Sequence, residues 1–135
     1  MRRLTAYLFS ISFTLGGCAT TEESLQEQGL KHMDASQTTE LVAGNTTVGR
    51  TAEGKSFTVL FRADGTAAGT KGSSSDTGTW EVSEEGYLCN QWTTWWNGDR
   101  KCHKSYLIGN EVKYYDLQGN FGGFFKVTQG NPNDL

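Results

Sequence analysis

The residue types that carry most enzyme chemistry are scarce in this chain. Its 135 residues include two histidines, His32 and His103, and three cysteines. The histidines are not spaced to share a metal or to work as a base with a partner, and neither CxxC nor HExxH occurs, so no metal site and no cofactor is expected. Ser73-Ser74-Ser75 lacks the GxSxG setting that makes a serine nucleophilic. The glycine-rich stretches follow hairpins and do not lead from a strand into a helix, which excludes a phosphate loop. Asp64, Asp76 and Asp116 sit at turns, where aspartate serves local hydrogen bonding. An enzyme is therefore not expected; it would need carboxylates that the fold alone brings together.

Basic charge is also in short supply. Formal charge is −3, with 12 Lys and Arg against 15 Asp and Glu, so the basic face that displaces counterions from nucleic acid is missing. There is one proline, and the turns fall to 17 glycines; aromatic residues make up 12%. That composition favours short strands joined by tight turns.

Long apolar runs are absent too, with one short exception at the start. Met1-Arg2-Arg3 is followed by an uncharged stretch from Leu4 to Leu15, a basic segment and then an apolar one, as in a secretory signal. It falls short of the roughly 20 residues a membrane-crossing helix needs. Leu15-Gly16-Gly17-Cys18 then resembles the lipobox of bacterial lipoproteins. The resemblance implies removal of residues 1–17, acylation of Cys18 and a stable membrane anchor of more than one acyl chain. Ala19, where an acidic residue would direct otherwise, favours sorting to the outer membrane, facing the periplasm. The alternative is an ordinary signal peptide with a cysteine near its end. Loss of the signal leaves 118 residues, enough for one domain, with a charge near −5 (ten basic residues against fifteen acidic).

Cysteine parity agrees with a lipid on Cys18. An exported protein with three cysteines has a stray thiol; with Cys18 acylated, Cys89 and Cys102 remain as one disulfide pair.

Residues 18–36 are polar and read as the lipidated cysteine and a flexible tether. A short helix is expected around Ser36–Gly44, capped by Ser36 or Thr38 and ended by Gly44. Residues 37–135 form the folded domain. From Asn45 onward the pattern is β: Phe57, Val59 and Phe61 alternate with polar neighbours, Asp64-Gly65 and Gly109-Asn110 are two-residue turns, and Trp80 and Val82 share an inward face. Gly72–Thr77 reads as a flexible loop. Seven or eight short antiparallel strands result, and curling into a small up-and-down barrel hides their edges. A two-sheet sandwich is the alternative.

Two local signals conflict between the cysteines. A tight Asn97-Gly98 hairpin would oppose Cys102 to Thr93 and leave Cys89 on the order of 13 Å away at about 3.3 Å per residue, too far for a bridge that needs Cα atoms within about 7 Å. The disulfide takes precedence, since closing a loop of this size is worth roughly 3 kcal/mol. An irregular loop is then expected, with Trp95 and Trp96 near its tip and Trp92 in the core. Arg100, Lys101, His103 and Lys104 form a basic outgoing arm. Stacking and cation–π contact at these residues could grip a small ligand, a glycan, a lipid headgroup or an envelope protein. The alternative is that one or two of the tryptophans fold back over the open end of the barrel and the arm is merely solvated.

The order Gly44-Asn45-Thr46, Asp64-Gly65-Thr66, Gly78-Thr79-Trp80, Leu88-Cys89-Asn90-Gln91-Trp92, Cys102 and Gly130-Asn131-Pro132 resembles a family of small exported proteobacterial proteins of unknown function. It covers roughly residues 40–135 and implies a compact β domain with a Cys–Cys bridge, without an activity or ligand. Asp-Gly-Thr followed by Gly-Thr-Trp is also similar to calycin-type barrels at the level of the β-meander. The expected function is a membrane-anchored binding or interaction module that uses the aromatic loop or the barrel mouth. An inhibitor or immunity-type protein of an envelope enzyme is the second reading.

Overall fold

The computed structural model describes residues 20–135; the signal segment and Cys18 lie outside the described residues. Eight antiparallel strands run in sequence order: β1 (Asn45–Thr51), β2 (Ser56–Phe61), β3 (Thr66–Lys71), β4 (Ser74–Val82), β5 (Leu88–Trp92), β6 (Arg100–Ile108), β7 (Glu111–Asp116) and β8 (Phe121–Thr128). Each pairs with its neighbour, and β8 pairs back onto β1, closing the barrel. Closure removes the exposed edges that a flat meander would leave open.

The turns form for local reasons. Asp64 Oδ1 accepts from the backbone N–H and the hydroxyl of Thr66, while Gly65 takes φ 89°, a conformation that side-chain-bearing residues avoid. The β3–β4 connection departs from expectation. Ser74–Thr77 is the first part of a strand, with Lys71 opposite Ser74 and Gly69 opposite Asp76. The loop is therefore cut to Gly72 and Ser73, because polar residues extend a ladder as readily as apolar ones where the rim stands in solvent.

Among the described residues, two helices precede the barrel: α1 (Glu22–Glu27) and α2 (Ala35–Val42). The cap of α2 is Asp34, reciprocated by Gln37 in a capping box, and not Ser36 or Thr38. Thr38 instead is buried and donates to Gly86 O. This helix closes one end of the barrel, with Val42 fully buried against Val59, Phe61, Ala67, Leu88 and Trp92. Met33 packs beside it on Val112 and Phe125.

Residues 20–34 are a strap packed on the barrel, which corrects the expectation of a flexible tether. Leu25 is buried against Tyr106 and Tyr115, with Leu30 and Phe121 around them. The apolar side chains of this polar stretch are few, but Leu25, Leu30 and Met33 are all placed against the barrel. Full burial of a leucine is worth about 1.5–3 kcal/mol. Glu22 adds an ion pair to Lys104 (2.5 Å) and accepts from the Tyr106 hydroxyl (2.8 Å).

Candidate functional site: a cup at the open end of the barrel

The inward side chains change character along the barrel axis. Near α2 the interior is filled. Toward the other end it opens into a cavity of about 500 Å³, within the range of small-molecule sites. Its apolar lining comes from Phe57, Val59, Trp92, Trp95 and Phe125. Its polar lining comes from Asn90, Lys101, His103 and Tyr114 on β5, β6 and β7, with Asn90 next to Trp92 on the same face of β5. Lys71, Glu53, Asp116 and Trp96 stand around the mouth.

The polar wall contains groups that the protein itself leaves unpaired. Asn90 Oδ1 and His103 Nε2 are buried and have no hydrogen-bond partner among the described residues; Ser105 Oγ, farther along β6, is a third. Such a group costs about 1–3 kcal/mol unless something satisfies it. His103 stacks on Tyr114, with ring centroids 4.7 Å apart. Enclosure in the barrel wall pushes its pKa down to about 4, so the imidazole is neutral at pH 7. The Tyr114 hydroxyl is raised, first by burial and then by the negative charge of Glu53.

Cys89 and Cys102 are bonded and directly opposed, with Cα atoms 4.0 Å apart. Their neighbours pair as Leu88 with His103 and Asn90 with Lys101, all lining the cavity. By strand alternation the bridge therefore lies on the other face of the sheet, tying β5 to β6 behind the polar wall.

This register sends the chain through an irregular loop, as the conflict between hairpin and disulfide anticipated. Trp96, Asn97 and Gly98 all adopt positive φ (52°, 56° and 75°). For a bulky residue such as Trp96 this is a strained conformation, held only by its surroundings. The holder is Asp76, whose Oδ2 accepts from the backbone N–H groups of Thr94 and Trp95 and from the Thr94 hydroxyl. Partial burial works to raise the Asp76 pKa, but the hydrogen bonds from Trp95, Thr94 and Thr77 outweigh it and hold the carboxyl below its usual value. Sequence reasoning read Asp76 as a turn residue. The signal for its larger role was its place on a strand facing Gly69.

The loop tryptophans divide. Trp92 is in the core, as expected. Trp95 folds back over it, ring centroids 4.6 Å apart, with its indole N–H donated to Ser74. The space for this comes from Gly69, where a Cβ would lie 3.0 Å from Trp92 and 3.1 Å from Trp95. Trp96 alone remains exposed, at 48%. The Lys71 ammonium sits 5.0 Å and 4.6 Å from the Trp95 and Trp96 ring centroids, which binds the β3–β4 turn to the loop by cation–π attraction.

The basic arm does not form one surface. It is the start of β6, and strand periodicity splits it between two faces. Lys101 and His103 face the cup. Arg100 pairs with Glu81 on the exposed side (2.5 Å), and Lys104 is held by Glu22 beneath the strap. Arg100 keeps a place at the rim, whereas Lys104 is removed from the aromatic loop altogether.

Among the described residues, no cluster of three or more His, Cys, Asp or Glu is placed to hold a metal ion, and no helix is long and apolar enough to cross a membrane. Comparison of the chain with family models and with curated proteins gives no match.

Proposed function

We propose that this protein is a lipid-anchored binding protein of the cell envelope that holds a small molecule in the cup at the open end of its barrel. The observation that carries the reading is the cup itself: an aromatic cavity whose wall contains buried polar atoms without protein partners. The lipobox ending at Cys18 supplies the anchor, with acyl chains in the outer membrane and the barrel on the periplasmic side. The strap shortens the expected tether. Thr20 O accepts from the Tyr115 hydroxyl and Thr20 Oγ1 accepts from Lys113, so Ala19 is the one residue between the acylated cysteine and chain docked on the barrel. On this reading the barrel is held against the bilayer.

A second reading, an inhibitor-type surface that blocks an envelope enzyme, is favoured by the exposure of Trp96 (48%) and Leu117 (44%) near the mouth.

One variant tests each part. Cys18→Ser should abolish labelled palmitate incorporation; retained label would remove the anchor. Val59→Phe, which fills the cup from below, should weaken binding of the uncharged fluorescent probe N-phenyl-1-naphthylamine at least tenfold. Equal binding by both proteins would exclude the cup and leave the rim surface.

A further inference from the structure

A lipid on Cys18, the anchor proposed above on which this inference rests, limits which side of the barrel can meet the membrane. Thr20 is docked on β7, where its hydroxyl accepts from Lys113 and its carbonyl from the Tyr115 hydroxyl. Cys18 is two residues earlier, and two residues span at most about 7 Å. The acyl chains must therefore enter the bilayer beside the outer face of β7. The next strands round the barrel are β8 and β1, about 5 and 10 Å away at the usual strand spacing.

That face is basic and uncovered. Strand alternation sends Lys113, Phe124, Lys126, Val48 and Arg50 outward, because their chain neighbours Tyr114, Phe125, Thr47 and Thr51 line the cup. The register joins them: Lys113 lies opposite Phe124, Phe124 opposite Arg50, and Lys126 opposite Val48. Arg50 and Lys126 are exposed, as is Val48. Among the described residues, none of the three cations is in an ion pair. Glu111 is the one carboxylate at an outward position of β7, β8 or β1. The rest of the chain is acidic enough to leave a formal charge of −3. On the β6 side of Thr20, α1 is fastened through Glu22 and Gln26 and exposes Glu23 and Glu27. An anionic surface attracts the first face and repels the second. Screening over about 8 Å confines that choice to groups close to the surface, which is where so short a link holds them.

We infer that the outer face of β7, β8 and β1 is the membrane-docking surface of the barrel. Arg50, Lys113 and Lys126 engage anionic phospholipid headgroups, and Val48 and Phe124 rest among them. The barrel then lies on its side, with the mouth of the cup directed along the bilayer.

The test is lysine acetylation, read by mass spectrometry, of the acylated protein in three settings: uncharged detergent micelles, phosphatidylcholine vesicles, and vesicles of phosphatidylcholine with phosphatidylglycerol. A basic residue near an anionic surface is worth about fivefold in binding. Lys113 and Lys126 should accordingly react at least fivefold more slowly in the mixed vesicles than in detergent, and within twofold of detergent in phosphatidylcholine alone. Lys71 and Lys101, at the mouth, should be unchanged throughout. Arg50→Glu with Lys126→Glu, its fold checked by near-ultraviolet circular dichroism, should return Lys113 to within twofold of its rate in detergent. Equal protection in both vesicles would overturn the anionic headgroup. Protection of Lys71 and Lys101, with Lys113 and Lys126 unchanged, would overturn this face and keep the anchor. Protection already present in detergent and rising with protein concentration would assign the face to a second copy of the chain. A Cys18 peptide without acyl mass would overturn the anchor and the docking face together.

Discussion

Glu22→Ala should destabilise the barrel by about 3 kcal/mol, read as a drop in the urea midpoint with the slope nearly unchanged. The Lys104 and Glu22 side chains are only 14% and 10% exposed, so truncation strands an ammonium beneath the strap. It also removes the acceptor of the buried Tyr106 hydroxyl, whose pKa burial and the Glu22 hydrogen bond together push up to about 12. The loss should come from stranding a charge more than from losing an attraction. Replacing both partners, Glu22→Leu with Lys104→Met, should therefore recover most of it. A single-variant loss below about 0.5 kcal/mol would mean that the pair is solvated like a surface bridge, and that residues 20–34 behave as the flexible tether their composition suggested.

Acid should weaken the fold in a window that belongs to His103. Its pKa is about 4 in the folded protein and 6.5 in an ordinary setting. Between these values the unfolded chain binds a proton that the native chain refuses. Stability is then complete above about pH 6.5 and falls as the pH falls toward 4, by about 1.4 kcal/mol per pH unit and on the order of 3 kcal/mol in all. The groups that face or neighbour the ring in the cup are Tyr114, Asp116, Lys101 and Glu53. Asp116 is held below the usual carboxylate value: burial raises it, but the side chain of Asn120 and the backbone N–H groups of Asn120, Gln118 and Gly119 prevail. Asp76 behaves alike, so the stability these two contribute is lost only below about pH 4. Chemical denaturation from pH 7.5 to 4.5 should show the slope, and His103→Gln should flatten it. An unchanged slope in that variant would mean that the ring protonates freely through the open mouth.

The strands were legible because their cause is local. Phe57, Val59 and Phe61 alternate strictly, and Asp64-Gly65 and Gly109-Asn110 carry turn chemistry in two residues, so β2 through β7 can be marked before any packing is known. The Cys89–Cys102 pairing was legible by elimination, and it correctly displaced the tight Asn97-Gly98 hairpin. The strap was not, since Leu25, Leu30 and Met33 have no strand or helix period. The partner of Glu22 is 82 residues away. Splitting of the basic arm could have been read had Arg100–Lys104 been assigned to the strand, because alternation alone sends Arg100 and Lys104 to one face and Lys101 and His103 to the other.

The cup was the least legible feature. Whether a small barrel is filled depends on how far each inward side chain reaches across the axis. That is decided by details such as Gly69, which admits the Trp95 ring, and Asp76, which pins the loop that carries it. Neither residue stands out in sequence. Together they convert an exposed aromatic tip into half of a cavity wall, leaving Trp96 as the exposed remainder.

The cup as the ligand site is tested most directly by heteronuclear NMR of the isotope-labelled protein titrated with the uncharged N-phenyl-1-naphthylamine. The expected result is a set of saturable shifts centred on the Asn90 side-chain amide, the Trp92 and Trp95 indole N–H groups and His103, with the outer-face residues Lys113 and Tyr115 unmoved. Shifts centred on the outer face or on Trp96 alone, with Asn90 and Trp92 silent, would contradict it.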